Sequence, residues 1–91
     1  MKTTREQDYQ QALQCRLNRI RGQVDGLKSM VADEAYCDDI LTQVSAVKAA
    51  LNGFADELLK QHLKTCVTER LRADDQQVID EVITTLKRLY R

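Results

Sequence analysis

One apolar row dominates this chain. From Ile40 through Leu41, Val44, Val47, Leu51, Phe54, Leu58, Leu59, Leu63 and Val67, hydrophobic residues recur at the spacing of one helix face, with no breaker before about Arg72. A helix with that pattern, begun near Ala35, would be about 50 Å long at 1.5 Å per residue. The whole chain has only 91 residues. Two shorter helices and short loops cannot enclose a rod of that length, so its stripe is expected to be completed by another copy of the chain.

The flanking segments are helical as well. Leu13, Leu17, Ile20, Val24, Leu27 and Val31 step by four and three and predict a first helix from about Arg5 to Val31. Gly22 and Gly26 sit inside it, one turn apart. Glycine costs about 1 kcal/mol there relative to alanine, so the pair either admits another backbone closely or marks a kink. Asp33 and Glu34 break the pattern and are read as N-cap and first-turn acids of the long helix. Ala73-Asp74-Asp75 is the next break. Val78, Ile79, Val82, Ile83, Leu86 and Leu89 then predict a short third helix, with Lys87, Arg88 and Arg91 where its dipole favours cations. The absence of Pro and Trp, with three Gly and four aromatic residues (Tyr9, Tyr36, Phe54, Tyr90), argues against turn-rich β architectures. Residues 1–91 are therefore read as one all-α domain of three helices.

The polar start of the chain and the lack of any run of eighteen apolar residues predict a cytoplasmic protein with no membrane segment. Cys15, Cys37 and Cys66 are odd in number and cannot all pair within one chain, so the thiols serve packing, metal binding or redox chemistry. The 14 basic and 14 acidic residues cancel, which removes the argument from a uniformly basic domain. Residues 1–28 nevertheless carry six basic and three acidic side chains, and Arg16, Arg19 and Arg21 have no acid between them. Such a cluster is either an ordinary solvated face or a phosphate-binding one.

The chemistry concentrates in His62-Leu63-Lys64-Thr65-Cys66. A spacing of four on a helix puts imidazole and thiol on one face, about 5–6 Å apart at Cβ, where they serve either packing or one metal ion. Cys37 lies 25 residues before His62 on the same expected helix, about 37 Å away, so one chain cannot unite them. An antiparallel copy can. Pairing Cys37 with the His62/Cys66 ledge places a two-fold axis among Ala49, Ala50, Leu51 and Asn52, flanked by Ala46 and Gly53, where small side chains permit a close helix crossing. Two thiolates and an imidazole suit Cu(I) best, and Zn(II) if a fourth ligand or water joins them.

At these residues the chain resembles the copper-sensing operon repressor (CsoR) type of regulator, a family that also includes nickel/cobalt, formaldehyde and persulfide sensors. The resembling segments are Arg16 to Leu27 (RLNRIRGQVDGL), Tyr36 to Val47 (YCDDILTQVSAV) and His62 to Cys66 (HLKTC), in family order. The resemblance implies a three-helix protomer, an antiparallel four-helix-bundle dimer assembling into a tetramer, and a repressor that leaves operator double-stranded DNA when its inducer binds. It assigns Cu(I) to Cys37, His62 and Cys66. It further implies that Tyr36, and Glu81 if the preceding loop is one residue shorter, hydrogen-bond around the ligand His, which would fix the imidazole and reach the third helix.

Nickel/cobalt members need a His near the N-terminus and another at position 66, and this chain has neither. Formaldehyde members have Pro at position 2, where Lys2 stands here. Persulfide members keep both Cys and lack the His. Cys15 occupies a commonly polar place and is expected to be passive. Gly53 occupies a place where several members are basic, so the DNA surface is expected to rely on Lys48 with Arg16, Arg19 and Arg21. The family has no helix-turn-helix, so phosphate contacts and DNA shape would supply the binding.

Two other readings stand beside the copper repressor. In one, Cys37 attacks an oxidised sulfur species and Cys66 resolves it, as in a persulfide or other thiol-reactive sensor. In the other, the protein is a cytoplasmic copper buffer without a DNA role. A single His and no Gly-rich phosphate loop argue against an enzyme.

Overall fold

The computed structural model describes residues 5–90, and Lys2 and Arg91 therefore lie outside the described residues. Those residues form helices, turns and no strand. Helix α1 runs Gln7–Ala32 and α2 runs Cys37–His62, each with 26 residues. The path of α2 continues through a π-helical turn, Leu63–Val67, into the short α-helical stretch Thr68–Arg72. Helix α3 is Gln77–Leu89. By internal contacts the chain divides into two units, one ending at Glu57 and the other beginning at Leu58.

The first unit is a helical hairpin of α1 and the first part of α2. The Tyr9 hydroxyl donates to the Glu57 carbonyl at 2.8 Å, tying the start of α1 to the far end of this unit. Leu13 and Ile20, seven residues apart on α1, are buried, as is Val47 on α2. The rest of the α1 seam is not. Leu17, Val24 and Val31 are large apolar residues left exposed, and on α2 so are Leu41 and Leu51. Among the described residues, a Cβ built at Gly22 or Gly26 would meet nothing within 4 Å, so no other helix of these residues approaches closely there.

The connection between α1 and α2 differs from the sequence expectation. Asp33 and Glu34 finish α1 and do not cap α2. Glu34 takes the left-handed conformation (φ 56°), its N–H bonds the Val31 carbonyl, and the Ala35 N–H bonds the Met30 carbonyl at 2.9 Å. This is a Schellman closure, which satisfies carbonyls left over at the helix end. Because Glu34 turns the chain, α2 starts two residues later than expected, and Asp38 and Asp39 are its first-turn acids.

In the second unit Val67 and Val78 are buried, Val78 completely. The helical path is not uniform, as the apolar row alone would have it, because the π turn falls within it. Thr65 donates its hydroxyl to the Gln61 carbonyl and Thr68 to the Leu63 carbonyl, both at 2.8 Å. A hydroxyl occupying the carbonyl five residues back leaves room for the wider turn. A second Schellman closure follows, with Asp74 at φ 66° and the Asp75 N–H on the Arg70 carbonyl at 2.8 Å. Asp75 then accepts from the N–H of Gln77, the first residue of α3.

Candidate metal centre

The three candidate metal ligands lie at two places. Cys37 is the first residue of α2, and the backbone at Tyr36 starts the helix by accepting from the Asp39 and Ile40 N–H groups. Both Cys37 and Tyr36 are exposed. His62 is the last residue of the same α-helix and is also exposed. Cys66 follows four residues later inside the π turn and is half-buried. The Thr65 hydroxyl, which donates to the Gln61 carbonyl, also lies 3.7 Å from the Cys66 sulfur as a weak donor to it.

Cys37, Cys66 and the third thiol, Cys15 on α1, are all free. Among the described residues no three His, Cys, Asp or Glu side chains gather in a way that could hold a metal ion. The donors present are nonetheless a soft set, two reduced thiols and one imidazole. As the first and last residues of one helix, Cys37 and His62 cannot be brought together by that helix.

Glu81, on α3, is engaged by Arg70. The guanidinium donates to both Glu81 oxygens at 2.5 and 3.1 Å and, through Nε, to Asp75 at 2.7 Å. Arg70 hydrogen bonding holds the Glu81 carboxyl below the usual carboxylate range, and the field of His62 is the smallest contribution in that direction. The same bonds raise the Arg70 pKa further above its already high value. Sequence reasoning missed Arg70 and Asp75. They lie eleven and six residues before Glu81, and only the Schellman turn at Asp74 gathers the three.

Of the four candidate DNA-binding residues, Arg16, Arg19 and Arg21 are exposed on α1 and Lys48 is exposed on α2. Arg16 and Arg19 share a face of the helix, whereas Arg21 is rotated from Arg16 by about 140° at 3.6 residues per turn. The Arg16 guanidinium lies beside Gly53 on α2, where an added Cβ would be 3.6 Å from its nitrogen, an ordinary van der Waals contact.

Residues 9–88 match the family model described as metal-sensitive transcriptional repressor. The chain belongs to that family. It is 40% identical over 91 residues to the copper-sensing transcriptional repressor CsoR of Bacillus subtilis (strain 168), an alignment covering 99% of this chain and 87% of that one. Its structure resembles that of the copper-sensing repressor CsoR with Cu(I) from Geobacillus thermodenitrificans NG80-2, with a TM-score of 0.93, 35% identity, and coverage of 99% and 95% of the two chains. It also resembles the nickel-responsive transcriptional regulator InrS, with a TM-score of 0.76, 31% identity and 97% of each chain covered. One repressor fold thus serves relatives named for different metals. Among the described residues of this metal-sensitive repressor, no helix is long and apolar enough to cross a membrane.

Proposed function

We propose that this repressor senses Cu(I). The metal-free protein binds operator double-stranded DNA, Cu(I) is taken by Cys37 of one chain with His62 and Cys66 of its partner, and the DNA is released. The observation that carries this reading is the arrangement along α2. Two free thiols and one imidazole stand at its two ends, and a two-fold antiparallel pairing would join them into two equivalent sites.

Donor chemistry favours Cu(I) over Ni(II), because thiolates are soft ligands and Ni(II) prefers tetragonal nitrogen and oxygen sets. When bound, Cu(I) would bring one positive charge against two thiolates, leaving a net negative charge at the dimer seam. The imidazole of His62 would need a fixed tautomer, for which Tyr36 and Glu81 are the proposed partners. The large apolar residues exposed on α1 and α2 fit an antiparallel dimer assembling into a tetramer. DNA would be held by Arg16 and Arg19, with Arg21 and Lys48 contributing from other faces of the assembly. Release is then a coupling free energy of about 1–3 kcal/mol between separate sites.

The test is an anaerobic Cu(I) titration of the reduced protein against a Cu(I) chelator, for wild type and His62→Ala. One tight Cu(I) per chain, weakened by the substitution, is expected. Weak binding indifferent to His62 would overturn the copper reading in favour of a thiol-directed signal at Cys37 and Cys66.

A further inference from the structure

Arg70 has no part in the scheme above, yet its guanidinium joins two carboxylates, Asp75 and Glu81. It lies four residues beyond Cys66. Nε donates to Asp75, NH1 and NH2 donate to the two oxygens of Glu81, and the other oxygen of Asp75 accepts from the Gln77 N–H. One planar fork therefore fastens both the turn before α3 and the second turn of α3 to the helical segment that carries Cys66. A bidentate pair of this kind fixes the plane of the carboxylate as well as its position.

His62 and Arg70 stand eight residues apart along that path, on the order of 10 Å by helical rise. In the structure both Glu81 oxygens accept from the Arg70 guanidinium. Arg70 is also bonded to Asp75, so following Glu81 toward His62 would disturb that second bond. A carboxylate that turns to accept from the imidazole must give up at least part of the fork.

We propose that Arg70 and the metal-engaged His62 compete for Glu81, so that Arg70 fastens α3 and sets how much inducer is needed to move it. This rests on the reading of His62 as a ligand with Glu81 as its partner. Arg70 acts here as a positioning residue and touches no metal.

The experiment compares wild type, Arg70→Gln, Arg70→Lys, Glu81→Gln and the Arg70→Gln/Glu81→Gln double variant. In the metal-free proteins, amide exchange over residues 77–81 is expected to quicken in Arg70→Gln, with circular dichroism confirming that the helices persist. In anaerobic Cu(I) competition, Arg70→Gln is expected to bind about two- to fivefold more tightly than wild type, the size of an exposed ion pair at its strong end. Arg70→Lys, a point charge without the fork, should shift the same way by less. In the Glu81→Gln background, Arg70→Gln should change nothing. Unchanged or weaker Cu(I) binding in Arg70→Gln, or an equal shift in the Glu81→Gln background, would overturn the competition. Should Arg70→Gln fail to fold, Arg70→Lys decides alone, with unchanged or weaker binding counting against the proposal. Failure of the wild type to bind Cu(I) would instead remove the copper reading, and this inference with it.

Discussion

Leu51 offers a quantitative test of the antiparallel pairing. It lies among the four residues at the expected two-fold axis, yet 46% of it remains exposed in the single chain. Burying a leucine side chain completely is worth about 1.5–3 kcal/mol, so covering the remaining fraction would contribute about 1 kcal/mol per chain. In that pairing both copies of Leu51 would meet near the axis, and Leu51→Ala should remove about 2 kcal/mol from dimer association. At 1.4 kcal/mol per factor of ten, the dissociation constant should rise about 30-fold. Sedimentation equilibrium over a concentration series measures this directly, with circular dichroism at high concentration confirming unchanged helix content. A dissociation constant within about threefold of wild type would refute the placement of the axis, and a wild type that stays monomeric would refute the dimer.

Three further outcomes are expected. Arg16→Ala and Arg19→Ala should each weaken binding to a promoter duplex that the wild type protects, and should reduce the slope of log affinity against log salt by about 1. Fluorescence anisotropy at several salt concentrations reads both, and unchanged affinity and slope would remove Arg16 and Arg19 from the DNA surface. Glu34→Gly should raise stability in urea by about 0.5–1 kcal/mol, because φ of 56° strains any side chain but glycine. A loss of stability would show that the Glu34 side chain contributes more than its strain removes. Arg70 lowers the Glu81 carboxyl, so the pair stabilises the fold above the ordinary carboxylate value of about 4.3 and loses that contribution as pH falls through the lowered folded value. Thermal melts should therefore separate Glu81→Gln from wild type at neutral pH and converge once the pH has fallen below the lowered Glu81 value.

The helices were legible because their apolar rows are long and regular. The expected first helix from about Arg5 to Val31 became Gln7–Ala32, and the expected third helix became Gln77–Leu89. The start of α2 was misplaced because Asp and Glu after a helix read equally well as its end or as the next one's cap. Only the backbone conformation of Glu34 separates these. The π turn did leave a trace. Leu59, Leu63, Val67 and Leu71 advance by strict fours, which in a uniform α-helix drift about 40° per step, and a turn holding an extra residue brings such a row back into line. Thr65 and Thr68, hydroxyls able to reach back to carbonyls, stand within that row. The site was legible as a set of donor types at telling intervals, Cys37, His62 and Cys66. Arg70 was not, since its partners Asp75 and Glu81 are assembled by a turn and by no periodic spacing.

Mixing two defective proteins tests the shared site most directly. Cys37→Ser retains His62 and Cys66, and Cys66→Ser retains Cys37, so each homodimer lacks a complete ligand set. A mixed dimer would contain one intact set and one with neither thiol. After dissociation and reassembly under anaerobic conditions, the mixture should recover tight Cu(I) binding, approaching one metal per isolated mixed dimer, while neither parent binds comparably. A mixed dimer that binds no better than its parents would contradict a site built from Cys37 of one chain with His62 and Cys66 of the other.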